Sequence, residues 1–252
     1  MTTHLTIITG ASRGMGLALA QRLAVPGHTL LCISRNANST LAQLATTQGA
    51  ALTQWAADLS DAASTAHQLA AWLSGKAQEF ASATLVNNAG MIPAIAPLSD
   101  VPASDISAAL RVGVEAPMLL TAAFLKGTAD WKVPRKVLNI SSGLGRRAMA
   151  SKAGYCAAKA AMDHFTRCLA LEEALKPHGA KVCSLAPGVI DTDMQVQLRA
   201  APDSSFPDKA NFVGMQQSGA LTSPQDAAGR LIAYLARADF GSNPVGDVRD
   251  LL

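Results

Sequence analysis

A formal charge of only +3, spread over 252 residues without a basic block, leaves no electrostatic reason to invoke nucleic acid or a membrane surface as a partner. With 49% hydrophobic residues, a chain of this length can bury one sizeable core, and α/β folds of this size are routinely single domains, so residues 1–252 need no second one. Cys32, Cys156, Cys168 and Cys183 show no paired metal-ligand spacing, and His4, His28, His67, His164 and His178 are scattered, so no metal is expected; without a signal peptide the thiols read as reduced, in a cytoplasmic protein.

Along the chain, short apolar runs alternate with longer helical patterns, which predicts βαβ units in a doubly wound parallel sheet of about seven strands, with helices on both faces. The first strand is Leu5 to Thr9, followed by the glycine-rich turn Thr9-Gly10-Ala11-Ser12-Arg13-Gly14-Met15-Gly16 and a helix to Ala24 that Pro26-Gly27 ends. Thr29 to Ser34 is the second strand, Ser39 to Gln48 a helix and Ala51 to Ala57 the third strand; Asp58-Leu59-Ser60-Asp61 then opens a long alanine-rich helix. Ala83 to Val86 is the fourth strand, running into Asn87-Asn88-Ala89-Gly90. After a loop at Leu98 to Val101, Ser104 to Leu125 has a helix-length pattern in which Gly113 and Pro117 mark a kink or close packing.

The fifth strand, Lys136 to Ser141, delivers Ser142 at its carboxyl end, where open parallel sheets place their ligands. A helix from about Lys152 to Leu175 follows, and Lys181 to Ala186 is the sixth strand. Gly188 to Ser218 reads as irregular, polar and long enough to be a functional lid. Ser223 to Ala236 is the last helix, before a short strand near Val245, and no membrane-length apolar segment is read.

Two elements carry chemistry. In the glycine turn, Gly10, Gly14 and Gly16 let backbone approach a pyrophosphate and let the following helix pack closely, while that helix's first amides supply positive potential. In the run Gly154-Tyr155-Cys156-Ala157-Ala158-Lys159, Tyr155 and Lys159 stand at i and i+4, on one helical face, so a phenol and an ammonium can share a pocket. A cation there favours phenolate and suits the phenol to acid catalysis. Ser142 fits either a site hydroxyl or a helix cap, and Asp58 either a ligand contact or a cap.

With Thr-Gly-x-x-x-Gly-x-Gly, Asn-Asn-Ala-Gly, a serine, Tyr-x-x-x-Lys and Pro187-Gly188-Val189-Ile190-Asp191-Thr192 in this order, the chain resembles the classical short-chain dehydrogenase/reductase family from about Leu5 to Val248. The resemblance implies a single-domain Rossmann fold, a homodimer or homotetramer, and reduction of a small carbonyl substrate. Tyr155 would be the proton donor, Ser142 would orient the carbonyl oxygen, and Lys159 would lower the phenol pKa while holding a ribose. It also implies a nicotinamide cofactor held by Gly10, Ser12, Arg13, Gly14, Met15, Gly16, Ser34, Arg35, Asp58, Leu59, Asn88, Ala89, Gly90, Tyr155, Lys159, Pro187, Gly188, Val189, Ile190 and Thr192. Arg35 stands after the second strand where an acid would select NAD, and Arg13 brings a second guanidinium, so NADP(H) is expected unless both are solvated charges. Gly113 occupies the position of the family's asparagine, which leaves its water either to a backbone carbonyl or lost.

Among family members the local runs and the ending Gly246-Asp247-Val248-Arg249-Asp250-Leu251 resemble sepiapterin reductases and bacterial benzil-type diketone reductases most. By that resemblance Asp247 would anchor an amino-pterin ring; it reads equally as a surface aspartate near a frayed terminus. The expected activity is NADPH-dependent reduction of a ketone or vicinal dicarbonyl, with a broader ketone or 3-oxoacyl reductase, or a non-catalytic NADPH-binding regulator, as alternatives.

Overall fold

The computed structural model describes residues 3–77 and 79–251. Its centre is one seven-stranded parallel sheet: β1 (His4–Thr9), β2 (His28–Ser34), β3 (Ala51–Ala56), β4 (Ser82–Asn87), β5 (Arg135–Ile140), β6 (Lys181–Ala186) and β7 (Val245–Asp247), in the order β3-β2-β1-β4-β5-β6-β7. The order reverses between β1 and β4, and there the two strand ends diverge to leave the crevice in which such sheets bind ligands. Because side chains alternate along a strand, Ile8, Leu30, Cys32, Val86 and Leu138 face one helical layer while Leu5, Ile7, Leu31, Ile33, Leu85 and Val137 face the other.

The first layer holds α1 (Gly14–Leu23), α2 (Ser39–Gln48) and α9 (Pro224–Ala236), whose Leu19, Leu41 and Leu231 are buried. On the opposite face lie α3 (Ala63–Leu73), α4 (Ala103–Leu110), α5 (Ala116–Gly127) and α6 (Ala153–Ala174). These bounds match the sequence reading to within a residue or two except in four places.

Asp58 does not open a long helix: its carboxylate accepts from the amide of Ser60 and caps a single 3₁₀ turn, Leu59–Asp61, before α3 begins. The loop read at Leu98 to Val101 also contains a 3₁₀ turn, Leu98–Asp100. Between α4 and α5, Arg111–Glu115 form a π-helical turn with Gly113 at its centre, so the irregularity read at Gly113 and Pro117 is a widened turn inside a continuous helical run. That run, Ala103–Gly127, is long and apolar enough to cross a bilayer by length and composition, which corrects the reading that no such segment exists. In the fold Ala116, Leu120, Ala123 and Phe124 spend this apolar content on the core, with Arg111 and Glu115 exposed in its middle.

The largest correction concerns 188–218. The stretch read as irregular contains α7 (Asp193–Ala200) and α8 (Lys209–Gln217). Leu198, Phe206 and Phe212 are buried there against Ile92, Ile95, Met149 and Met215, a satellite core separate from the two faces of the sheet. Tertiary burial stabilises helices this short, whose own sequence signal is weak.

Candidate active site

At the crevice, Gly10 takes φ +68 as the chain leaves β1, and its amide donates to the carbonyl of Ile33 at 2.8 Å. A Cβ on Gly16 would stand 2.3 Å from the carbonyl oxygen of Gly10 and 2.4 Å from Asn88 Nδ2, so only glycine lets α1 approach this closely. Asn88 Nδ2 donates to the carbonyl of Thr9 at 2.9 Å, and the amides of Asn88 and Ala89 both donate to Thr9 Oγ1. The expected cofactor contact Asn88 thus spends its side chain on bracing β4 against the glycine turn. Asn38 does the same from α2: it caps that helix and donates to the carbonyl of Ser12 at 3.0 Å. Thr9 enters the sequence reading only as the first residue of the glycine motif and Asn38 not at all, although an asparagine before a helical run is a recognisable cap signal.

The residues around the crevice fit a dinucleotide. Arg13 precedes α1 without a side-chain cap, which leaves that helix's first amides free to meet phosphate oxygens. Across from them Thr192 approaches Gly14, its Cγ2 being 3.6 Å from where a Cβ would lie, while Gly188, at φ +86, has open space in place of a side chain. Pro187, Val189 and Ile190 line the same returning segment, and Gly90 lies 3.9 Å from Lys159 Nζ, measured from its Cβ position. Arg35 is exposed at the end of β2 beside Asp58, whose carboxyl is held low first by the Ser60 hydrogen bonds and then by that guanidinium. Ser34 is buried and donates to the carbonyl of Asn36; Met15 and Leu59 are buried too. Arg13 instead pairs with Asp193 at 2.8 Å, bridging the glycine turn to α7 with both side chains mostly exposed.

Tyr155 and Lys159 lie in the first turns of α6, which the sheet places beside the carboxyl end of β5. Lys159 Nζ donates to the carbonyl of Ile140 at 2.7 Å and lies 5.7 Å from the centroid of the Tyr155 ring. Ser142 follows two residues later, and its hydroxyl accepts from the amide of Leu144, so it caps the 3₁₀ turn Gly143–Gly145 at the carboxyl end of β5. Burial pushes the Tyr155 phenol up and the nearby Ser142 hydroxyl opposes that shift. Burial brings Lys159 down to about 8, against the pull of Asp163. The phenol is therefore protonated at neutral pH, with a cation beside it that can stabilise a phenolate.

A second ammonium flanks the same ring. Lys152 Nζ is buried without a hydrogen-bond partner, 5.1 Å from the Tyr155 centroid, and desolvation brings it down to about 8. Its burial had no sequence signal, because lysine ordinarily reaches solvent. Gly113 is closed rather than vacant: a Cβ there would be 3.1 Å from that of Ala158 on α6.

Asp247 ends β7 beside Ala186 and is 7% exposed, not a frayed surface residue. Arg249 grips it with Nε 2.8 Å from Oδ1 and an Nη 2.6 Å from Oδ2, and those hydrogen bonds hold its carboxyl below the usual range.

Comparison with known proteins agrees with this geometry. Residues 4–203 match the family profile described as short chain dehydrogenase. The chain is 34% identical over 243 residues to a benzil reductase ((S)-benzoin forming) of Bacillus cereus, covering 96% of each, and 33% identical over 247 residues to a sepiapterin reductase of Xenopus tropicalis, covering 92% of this chain and 90% of that one. Among solved structures, an NAD(P)-dependent protein of Beutenbergia cavernae with bound NADP at low occupancy superposes with a TM-score of 0.80 at 29% identity, covering 98% of this chain and 96% of that one.

Proposed function

Because the chain belongs to the short-chain dehydrogenase family, whose oxidoreductases act on CH–OH and C=O groups, we propose that it is an NADPH-dependent reductase of ketones, and of vicinal dicarbonyls above all. The observation that carries this reading is the meeting of Tyr155, Lys159 and Ser142 at the carboxyl edge of the sheet, with Lys159 fixed on the Ile140 carbonyl. NADPH supplies hydride when bound. Tyr155 gives its proton to the carbonyl oxygen as that atom gains charge, Ser142 holds the same oxygen by its hydroxyl, and Lys159 stabilises the phenolate that remains.

Arg35 supports the phosphate-bearing cofactor, since an exposed guanidinium at the end of β2 would repel nothing there and can fork onto phosphate oxygens. The relatives' printed activities support a dicarbonyl or a pterin. Between these, the closed Asp247–Arg249 pair favours the dicarbonyl, because the Asp247 carboxylate is already occupied and not free for an amino-pterin. Exposed Leu110, Met118, Leu171 and Leu175 on the outer helices favour a homo-oligomer, and four free cysteines a cytoplasmic setting.

The test is NADPH consumption against benzil, sepiapterin and simple ketones. Turnover of benzil that exceeds that of simple ketones is expected. Tight NADPH binding without oxidation by any carbonyl would reject catalysis and leave a cofactor-binding regulator.

A further inference from the structure

One helical turn beyond Lys159, on the same face of α6, stands Asp163, 1% exposed. Its Oδ1 accepts from Ser141 Oγ at 2.5 Å and from Ser184 Oγ at 2.7 Å, one hydroxyl from the end of β5 and one from β6. Ser141 sits between Ile140, whose carbonyl receives Lys159 Nζ, and Ser142. The 3₁₀ turn Gly143–Gly145 closes over the same spot: a Cβ on Gly145 would lie 2.9 Å from Asp163 Oδ2 and 2.9 Å from the carbonyl oxygen of Lys159.

An asparagine could accept from both serines equally well, so hydrogen bonding alone does not account for a buried negative charge, which is costly without a cation. Three carboxylates are buried among the described residues. Glu173 is met by Lys176 and by the amide of Ala180, and Asp247 by Arg249. Asp163 has no such closed pair: Arg146 Nε stands 3.7 Å from Oδ2 without a hydrogen bond, and that oxygen is otherwise unpartnered. The charge one turn away is Lys159.

We infer that Asp163 is a positioning residue of the active site, a buried counter-ion that keeps Lys159 protonated while it ties the Ser142-bearing end of β5 to the helix that carries Tyr155 and Lys159. This rests on the reductase reading only for its effect on turnover. The groups facing Lys159 and Asp163 are few. On α6 they are Tyr155 and each other, from β5 and its extension the uncharged Ile140 carbonyl, Ser141 and Ser142, from the loop after β4 the backbone of Gly90, from the 3₁₀ turn Arg146, and from β6 Ser184 and Cys183. Tyr155 and Cys183 are both pushed up by burial, so neither ionises while Lys159 titrates near about 8.

The experiment follows the Lys159 side chain directly, by ¹³C-ε lysine NMR of the full chain, assigned with Lys159→Arg, alongside the pH profile of kcat/KM for benzil. Asp163→Asn keeps the acceptor for both serines and removes the charge. Its Lys159 midpoint is expected to fall by about one unit or more, the alkaline limb of the profile falling with it, and Asp163→Glu is expected to restore both toward the native values. Should the asparagine variant not fold, Asp163→Ser, also neutral and with an acceptor hydroxyl, carries the same comparison. An unmoved Lys159 midpoint in a folded neutral variant overturns the inference, whatever happens to melting temperature. A moved midpoint in a protein that reduces no carbonyl upholds the counter-ion and rejects the reductase reading instead.

Discussion

Arg249 closes on Asp247 through two parallel hydrogen bonds, so the one carboxylate at the carboxyl end of β7 is already satisfied before any ligand arrives. An amino-pterin would have to displace that guanidinium, whereas a diketone makes no demand on it. Benzil is therefore expected to be reduced with a higher kcat/KM than sepiapterin. Arg249→Met should lower the KM for sepiapterin and leave benzil unchanged. If instead Asp247→Ala in the otherwise native chain raises the KM for sepiapterin alone, the carboxylate anchors pterins despite its partner.

Tyr155→Phe removes one hydroxyl and should reduce turnover by about 10²–10⁴-fold, the usual worth of a positioned general acid, with NADPH binding largely kept. The pH profile has a defined sign. Burial sets Lys159 near about 8; below that value the ammonium is present to hold the developing phenolate, and above it the charge is lost. Reduction measured as kcat/KM should accordingly decline through pH 8 on the alkaline side. A flat profile there would show either that Lys159 keeps its proton above that value or that its charge is not limiting.

Arg35→Asp places a carboxylate where the ribose phosphate is proposed to lie. Charged hydrogen bonds of this kind are each worth about 1.5–3 kcal/mol, so NADPH should weaken by about tenfold or more while NADH is little affected or improved. Equal native affinity for the two cofactors, read by fluorescence titration, would remove the NADPH assignment.

Gly113 is expected to resist repair. Asparagine there drives its Cβ onto Ala158, so Gly113→Asn should cost about 1–3 kcal/mol of stability as an overpacked site. Pairing it with Ala158→Gly should recover melting temperature. A rise in turnover for the single variant at unchanged melting temperature would show instead that the helices can part and that the missing side chain limits the reaction.

Lys152 is a buried cation without a hydrogen-bond partner, so Lys152→Met should stabilise the protein, by on the order of 1–3 kcal/mol at neutral pH. The native lysine is lowered to about 8, and its unfolded counterpart titrates near about 10.4. Between those values the unfolded chain binds the extra proton, native stability rises with pH, and the advantage of methionine should shrink. A constant advantage across that window would mean that Lys152 keeps its proton in the folded protein as it does in the unfolded chain.

Much of the site is written in short stretches of chain. The spacing of Tyr155 and Lys159 puts them on one helical face whatever that helix packs against, and the glycines around Arg13 mark a strand-to-helix turn by their own backbone freedom. The alternation of apolar runs with helical patterns marks βαβ units and a parallel sheet, and Ser142 follows the fifth of its strands. These features are local, so the amino-acid order alone determines them.

What the order could not determine is what meets through space. Asp163 and the two serines it holds are 22 and 21 residues apart, and nothing in the identity of an aspartate four residues after a lysine says that both will be buried together. The helices α7 and α8 exist because Phe206 and Phe212 find Ile92 and Met149 from distant segments. Lys152 loses its solvent, Gly113 its free space and Asp247 its availability only once α6, the π-helical turn and the carboxyl end are packed. Burial and charge pairing belong to the assembled sheet and its helices, and it is these that set the protonation states and open contacts on which the choice of substrate depends.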